Sequence, residues 1–423
     1  MARSSKRAEA PIRELGARLK RTFEAWREER NRPERQLVTL PPEGKKHGNA
    51  LVSYIIDGFL VPHGTPLPVT HTNIWASLQI ARTFCQLGFE VDVISHRNLS
   101  FAPKKNYDVF LDVRRNLERL TPTLEKSCVK IMHVDTAHIL FHNAAESARL
   151  LALQQRRGVT LRPSRYEIPN LGIEHADFAT TTGNDFTIAT FAYAQKPFYR
   201  VPVPVAVSMP WPKNKDFAAC RNRFLWFSSG GLVHKGLDLA LEAFSGMPEY
   251  ELIVCCPVER EKQFARAFQK ELYDTPNIKT IGWVDLSRGG LAEIAGGCAG
   301  IVYTSCSEGG GACCITAMHS GLAPIVTRET SVDLHDFGFR IKDASVDEIR
   351  NTICEVASLS AGELEERSRK AWEYATTTHT RESFAREYKR VLTEILSQRM
   401  SITASCQKEC LRHKSIAQEN SVE

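Results

Sequence analysis

Residues 299–328 read AGIVYTSCSEGGGACCITAMHSGLAPIVTR. Two short, branched, apolar runs, AGIVYTS (299–305) and APIVTR (323–328), flank a helical pattern over 312–320, and three glycines turn the chain into that helix. A strand, a tight turn, a helix and a second strand at this spacing make a βαβ unit, which belongs to a parallel sheet covered on both faces. The same rhythm runs upstream. RFLWFSS (223–229), ELIVCCP (251–257) and IKTIGW (278–283) read as strands, with helical patterns around 236–245, 259–273 and 288–296.

Further upstream the alternation stops at a cluster of prolines, Pro202, Pro204, Pro210 and Pro212, followed by the polar KNKDF (213–217). Such a cluster marks a linker. Before it the alternation is found again, in ALVSYIID (50–57), EVDVIS (90–95), DVFLDV (108–113) and CVKIMHVD (128–135). Between the first two, Ile74, Leu78, Ala81 and Cys85 fall on one face of a helix over 71–88, with Gly88 placed to end it. The expected organisation is therefore two α/β domains, 48–208 and 223–378, joined by a linker at 209–222. A basic segment at 1–47 precedes them, and a helix at 379–399 and a polar, disordered tail at 400–423 follow. Ligands of such a pair belong at the carboxyl ends of the strands, between the two sheets.

Length and composition agree. A chain of 423 residues exceeds one ordinary domain, and 43% hydrophobic with 25% charged residues is the balance of a folded globular protein. No apolar run of 18 residues exists, so no spanning helix is expected, and the opening residues lack the apolar core of a secretory signal. The twelve cysteines include the adjacent pairs Cys255–Cys256 and Cys313–Cys314 and no C-x-x-C, a usage that suits reduced, buried thiols in the cytoplasm. Thirteen Lys/Arg against seven Asp/Glu within residues 1–47 account for the whole net charge of +6. The body is close to neutral, which argues against a nucleic-acid-binding fold.

Three stretches carry chemistry. In FSSGGLVHKGLDLALEAF (227–244) a strand ends in Ser228, Ser229, Gly230 and Gly231, and a helix follows Lys235-Gly236. Glycines there admit a phosphate close to the backbone, and the lysine and the helix N-terminus supply positive potential. In YTSCSEGGGACCITAMHSGLAPIV (303–326) Glu308 precedes Gly309, Gly310 and Gly311, whose amides open the next helix as anion donors. A carboxylate repels phosphate, so Glu308 suits sugar hydroxyls better. Taken alone, either fragment also reads as an ordinary glycine-rich turn. In IMHVDTAHILFHN (131–143) His133 and Asp135 sit at a strand end where a side chain reaches the cleft. His138 and His142, four apart, share a helical face, but no third ligand has a spacing that completes a metal site. The long loop GFLVPHGTPLPVTHTNIW (58–75) offers Gly64, His71 and Asn73 as weaker acceptor-side candidates.

The first two of these stretches, about 70 residues apart and in this order, resemble the donor half of the retaining glycosyltransferases of family 4. Lys235-Gly236 match that family's lysine-glycine motif, and Glu308, Ala317-Met318, Gly321 and Pro324 match its sugar- and ribose-binding segment. The likeness spans roughly 223–345 well and 50–200 more loosely. It implies a GT-B architecture of two Rossmann-like domains facing across a cleft, and transfer of a sugar from a nucleotide diphosphate sugar to a hydroxyl acceptor with retention. It implies Lys235 and nearby Ser229, Gly230 and Gly231 at the diphosphate, and Glu308 with Gly309–Gly311 at the sugar. His133, with His138 as alternate, would lie near the transferred sugar. Two positions depart from the pattern. Thr316 stands where the family has a second glutamate for the ribose, and the run 228–231 replaces an arginine upstream of the lysine. Nucleoside recognition is then expected to rest on backbone contacts, or the donor to be unusual. No Asp-x-Asp occurs, so neither metal nor other cofactor is expected to hold the diphosphate. The competing readings are a GT-B sugar epimerase or phosphorylase, and a non-catalytic partner that keeps the fold, which Thr316 favours.

The basic segment adds one feature outside that likeness. Ile12, Leu15, Leu19, Phe23 and Trp26 are spaced 3, 4, 4 and 3, one stripe of a helix, with Arg13, Arg18, Lys20, Arg21 and Arg27 around the rest. A basic amphipathic helix over 11–30 suits peripheral contact with the inner face of a membrane, and so a glycan or lipid-linked acceptor. The alternative is that the stripe packs on the protein itself or on another subunit.

Overall fold

The computed structural model describes residues 32–398 apart from 63 and 68–71. Two sheets organise the chain. The first holds β1 (Leu37–Leu40), β2 (Gly48–Tyr54), β3 (Phe89–Ser95), β4 (Val109–Asp112), β5 (Val129–Val134), β6 (Phe178–Thr181) and β7 (Phe198–Arg200), in the order β1-β3-β2-β4-β5-β6-β7. Only β1 is antiparallel, pairing Leu37 with Ile94. The second holds β8 (Arg223–Phe227), β9 (Glu251–Cys255), β10 (Ile278–Thr280), β11 (Gly300–Tyr303), β12 (Ala323–Thr327) and β13 (Phe339–Ile341), all parallel, in the order β10-β9-β8-β11-β12-β13. This is the two-domain, Rossmann-like GT-B arrangement.

The central strands are buried along their whole length, which is why they read as unbroken apolar runs and not as alternations. The short strands β6, β7 and β13 escaped the sequence reading because FATT, FYR and FRI carry too few apolar residues for a pattern. β1 did so because it is a half-exposed edge strand, and the first sheet therefore begins inside the segment assigned to the basic arm.

Three elements tie the halves together. The helix Ile139–Arg157 starts at the end of β5 and runs onto the second domain, where Leu153 joins the core around Trp226 and Arg156 pairs with Asp238 at 2.7 Å. The helix Ala361–Thr378 packs on the second domain through Ala371 and Ala375. The chain then crosses back, and the final helix, residues 381–398, buries Phe384, Tyr388, Val391, Leu392 and Ile395 in the core of the first. The two crossings meet where the Val203 N–H donates to His379 Nδ1 at 3.0 Å. Among the described residues all ten cysteines are free, and no helix is long and apolar enough to cross a membrane. The segments 11–30 and 400–423 lie outside the described residues.

Candidate active site

Both sheets turn their carboxyl ends toward one another, and a cavity of about 290 Å³ lies between them. Its floor on the first domain is the end of β5. His133 is almost fully buried, its Nδ1 2.9 Å from Thr180 Oγ1, its ring edge-on to Tyr54 and to Tyr388 at 5.6 Å from each. Tyr388 belongs to the returning C-terminal helix, so that helix completes the pocket that holds the imidazole. Burial pushes the His133 pKa down to about 4, which leaves the ring neutral at pH 7. One residue past the strand, Asp135 is bound by Arg114 Nη1 at 2.5 Å, Asn73 Nδ2 at 3.1 Å and the Tyr54 hydroxyl at 3.2 Å. Burial alone would raise its pKa, but the Arg114 guanidinium outweighs it and keeps the carboxyl below the usual range.

The opposite wall comes from the second domain. β8 ends at Phe227, the chain turns through Ser229, and Lys235 sits just before the helix Leu237–Ser245. β11 ends at Tyr303, and Glu308 follows. Glu308 Oε1 accepts from the Tyr303 hydroxyl at 3.0 Å and from Ser305 Oγ at 3.1 Å, with Lys235 Nζ 3.9 Å away. Burial opposes ionisation here too, yet Lys235, then His234 and Arg165, hold the Glu308 pKa below its ordinary value. The carboxylate is thus charged, fixed and facing the cavity.

Two histidines brace the halves beside it. His142 donates from Nε2 to the Arg165 carbonyl at 2.7 Å and accepts at Nδ1 from Ser307 Oγ at 3.0 Å, while His234 donates from Nε2 to the Ser307 carbonyl at 2.7 Å. Their rings lie 4.7 Å apart. Burial lowers both pKa values, that of His234 to about 3, so two neutral rings share this contact without repulsion.

The glycines expected to bind an anion also serve closure. A Cβ on Gly309 would collide with the Asp135 and Thr136 backbone, and Thr182 Oγ1 donates to the Gly309 carbonyl at 2.5 Å. The loop can lie against the first domain only because it is bare. The helix Ala312–His319 starts directly behind it, with Gly311 as its N-cap.

His133, Ser229, Lys235, Glu308, Gly309, Gly310, Gly311 and Asn73 all line this one cavity. Thr316 lines a smaller pocket of about 60 Å³ next to it, shared with Ser229, Cys313 and Trp283, and bonds its own helix at Ala312 O, 2.7 Å away. Gly230 and Gly231 flank the cavity without lining it, and the Gly231 amide is taken by Glu261 Oε1 at 2.6 Å. His138 caps the helix Ile139–Arg157 and binds the Tyr193 hydroxyl at 3.0 Å, away from His142, so the pair does not converge on a metal. Gly64 stands in an open loop with nothing near its Cβ position, and His71 lies outside the described residues. Arg114, His234 and Arg165 were not found by sequence reading. Arg114 and Arg165 are brought to the cavity by fold contacts and carry no local motif, while His234 lies beside Lys235 within a stretch already singled out and stands behind the lining.

No family model matches the sequence, and no curated protein matches it. Solved structures do match in fold. Sucrose-phosphate synthase from Thermosynechococcus elongatus is 12% identical with a TM-score of 0.57, over 82% of this chain and 99% of that one. A glycosyltransferase from Rickettsia africae is 11% identical with a TM-score of 0.52, over 83% and 99%. HepE of Anabaena, in complex with UDP and glucose, is 12% identical with a TM-score of 0.50, over 83% and 100%. The chain spans only about half, 54%, of Staphylococcus aureus TarM, to which it is 13% identical over 66% of its own length with a TM-score of 0.48. The fold that the first three share with this chain is that of the GT-B glycosyltransferases.

Proposed function

We propose that this protein transfers a sugar from a nucleotide diphosphate sugar to a hydroxyl of a glycan or lipid-linked glycan, with retention at the anomeric carbon, as the family 4 enzymes it resembles would. The observation that carries the reading is the meeting of Lys235, Glu308, the Gly309–Gly311 loop and His133 around one interdomain cavity. When the bond between the anomeric carbon and the diphosphate breaks, negative charge grows on the leaving oxygen. Lys235 and the amides at the start of the helix Ala312–His319 are preorganised to receive it. Glu308, held ionised, accepts hydrogen bonds from sugar hydroxyls. His133, held neutral, meets the sugar as a hydrogen-bonding group and not as a cation. HepE, which shares the fold, was solved in complex with UDP and glucose, the class of donor proposed here. Incubating the protein with a panel of nucleotide sugars and following nucleotide release, with mass spectrometry of the acceptor, tests the reading. Release that depends on an added acceptor is expected. Release without one would point to an epimerase, phosphorylase or hydrolase, and no binding of any nucleotide to a non-catalytic partner.

The same reading places the enzyme in the cytoplasm, docked by residues 11–30 on the inner membrane face. The first described residues support it: antiparallel β1 brings Glu34 to 3.5 Å from Arg97, at the cleft rim where a lipid-linked acceptor would enter. Co-sedimentation with anionic vesicles is expected for the full chain and lost in a chain starting at residue 32. Equal binding by both would end that part of the proposal.

A further inference from the structure

Charge around the donor side of the cavity does not balance for a diphosphate. Lys235 faces Glu308 at 3.9 Å, and Arg114 faces Asp135 at 2.5 Å and Glu167 at 3.8 Å, so each of these cations already has an anion. The Gly231 and Leu232 amides, the natural cradle at the end of β8, are filled by the Glu261 carboxylate at 2.6 Å and 3.3 Å. A nucleoside diphosphate arriving there brings further negative charge.

One lining residue is in a position to meet it. Arg165 comes from the first half, on the segment after the helix Ile139–Arg157, and the backbone around it is clamped by that helix. Its N–H donates to Glu146 Oε1 at 2.9 Å, its carbonyl accepts from His142 Nε2 at 2.7 Å, and two residues on the Glu167 N–H donates to Asn143 Oδ1 at 3.0 Å. The side chain crosses the domain boundary and lies over Gly231. A Cβ there would come within 2.8 Å of Arg165 Cγ and 2.9 Å of Cδ, so a side chain at that position would push the arginine aside. Among the described residues no carboxylate forms an ion pair with its guanidinium, although it shares the cavity with Lys235, Ser229 and Glu308. Its field reaches that side, since it helps keep Glu308 ionised and His234 neutral.

We propose that Arg165 is a diphosphate-binding residue, supplying from the N-terminal domain the second cation of the donor site, and that Gly231 is the notch through which it enters. The proposal rests on the transferase reading above and adds to it that the donor is gripped by both domains at once. Arginine suits the role because its planar fork binds two phosphate oxygens and stays charged at any working pH. Binding of the diphosphate then draws the two halves together, and a bare nucleoside does not.

Calorimetry on the full chain with UDP, GDP, ADP and the three parent nucleosides tests it, in wild type, Arg165→Ala, Arg165→Lys and the control Arg162→Ala. Arg165 is exposed, so its replacement is expected to leave the fold intact. For whichever diphosphate the wild type binds, Arg165→Ala is expected to lose about tenfold or more in affinity, the scale of a hydrogen bond to a charged group. Arg165→Lys should recover part of the loss, Arg162→Ala should lose nothing, and the affinity for the parent nucleoside should not change. Diphosphate affinity within about twofold of wild type in Arg165→Ala would overturn the role of Arg165 and leave the transferase reading standing. A wild type that binds none of the three diphosphates would overturn both.

Discussion

At the scale of single residues the site separates into groups that hold charge and groups kept from acquiring it. Lys235 and Glu308 are both largely buried and 3.9 Å apart, so neither can be removed without leaving the other uncompensated. Lys235→Ala is expected to keep the fold and lower turnover by about 30-fold or more, the effect of deleting one member of a desolvated pair. Glu308→Gln should also lower turnover, but affinity for the bare nucleoside diphosphate should change little, because the carboxylate is assigned to the sugar. Steady-state kinetics beside calorimetry separates the two, and a collapse of nucleotide affinity in Glu308→Gln would move that residue to the ribose. Thr316 gives a further test. Its hydroxyl is spent on Ala312 O at 2.7 Å, in the small pocket beside Trp283. Thr316→Glu puts a carboxylate where a ribose diol would lie, and nucleotide binding is expected to stay equal or tighten. Complete loss of binding would mean that this pocket is shaped around the smaller residue.

At the scale of elements, the helix over 381–398 is the least local part of the design. Nearly 180 residues after the chain leaves the first domain, it returns to bury one whole face there, and it lends Tyr388 to the pocket around His133. Leu392 has no exposed surface. Leu392→Ala is expected to destabilise the protein by about 2–5 kcal/mol, the range for emptying a packed leucine site. Urea denaturation should show a lower midpoint, and activity at low temperature should survive. A change below about 1 kcal/mol would mean that the helix rests on the first domain without supporting it.

At the scale of the whole molecule, three buried histidines link stability to pH. Burial lowers His133 and His379 to about 4 and His234 to about 3. In the unfolded chain each returns to about 6.5. Between those values the unfolded state takes up protons that the folded state refuses, so stability is complete above pH 6.5 and falls as the pH drops toward 4. The slope approaches about 1.4 kcal/mol per pH unit for each histidine. Asp112 and Asp238, pushed up by burial, act in the opposite sense and soften the fall. His379 is the informative one, because its Nδ1 accepts the Val203 N–H where the two interdomain crossings meet, and a protonated ring cannot accept. His379→Phe should cost about 1–3 kcal/mol at pH 7.5 and flatten the acid slope by one histidine's share. Urea midpoints at pH 7.5, 6.0 and 5.0 check both, and an unchanged slope would exclude His379 from the linkage.

What this chain's residues determine by themselves is local. Buried parallel strands need unbroken apolar runs, helices between them need one apolar face, and a phosphate-sized turn needs glycines. For that reason the two parallel α/β sheets and the glycine-bearing stretches around Lys235 and Glu308 were legible in order along the chain. The tertiary structure decided what meets what. Arg165 over Gly231, Tyr388 beside His133 and His142 against His234 join residues 66, 255 and 92 positions apart. No periodicity carries information over such separations. The edge strand β1 and the short β6, β7 and β13 owe their existence to neighbours that supply their hydrogen bonds, not to their own composition. The glycine loop read as an anion cradle is also the surface on which the domains close. That second role depends on the Asp135 and Thr136 backbone lying against Gly309, a contact that exists only once the two domains face each other.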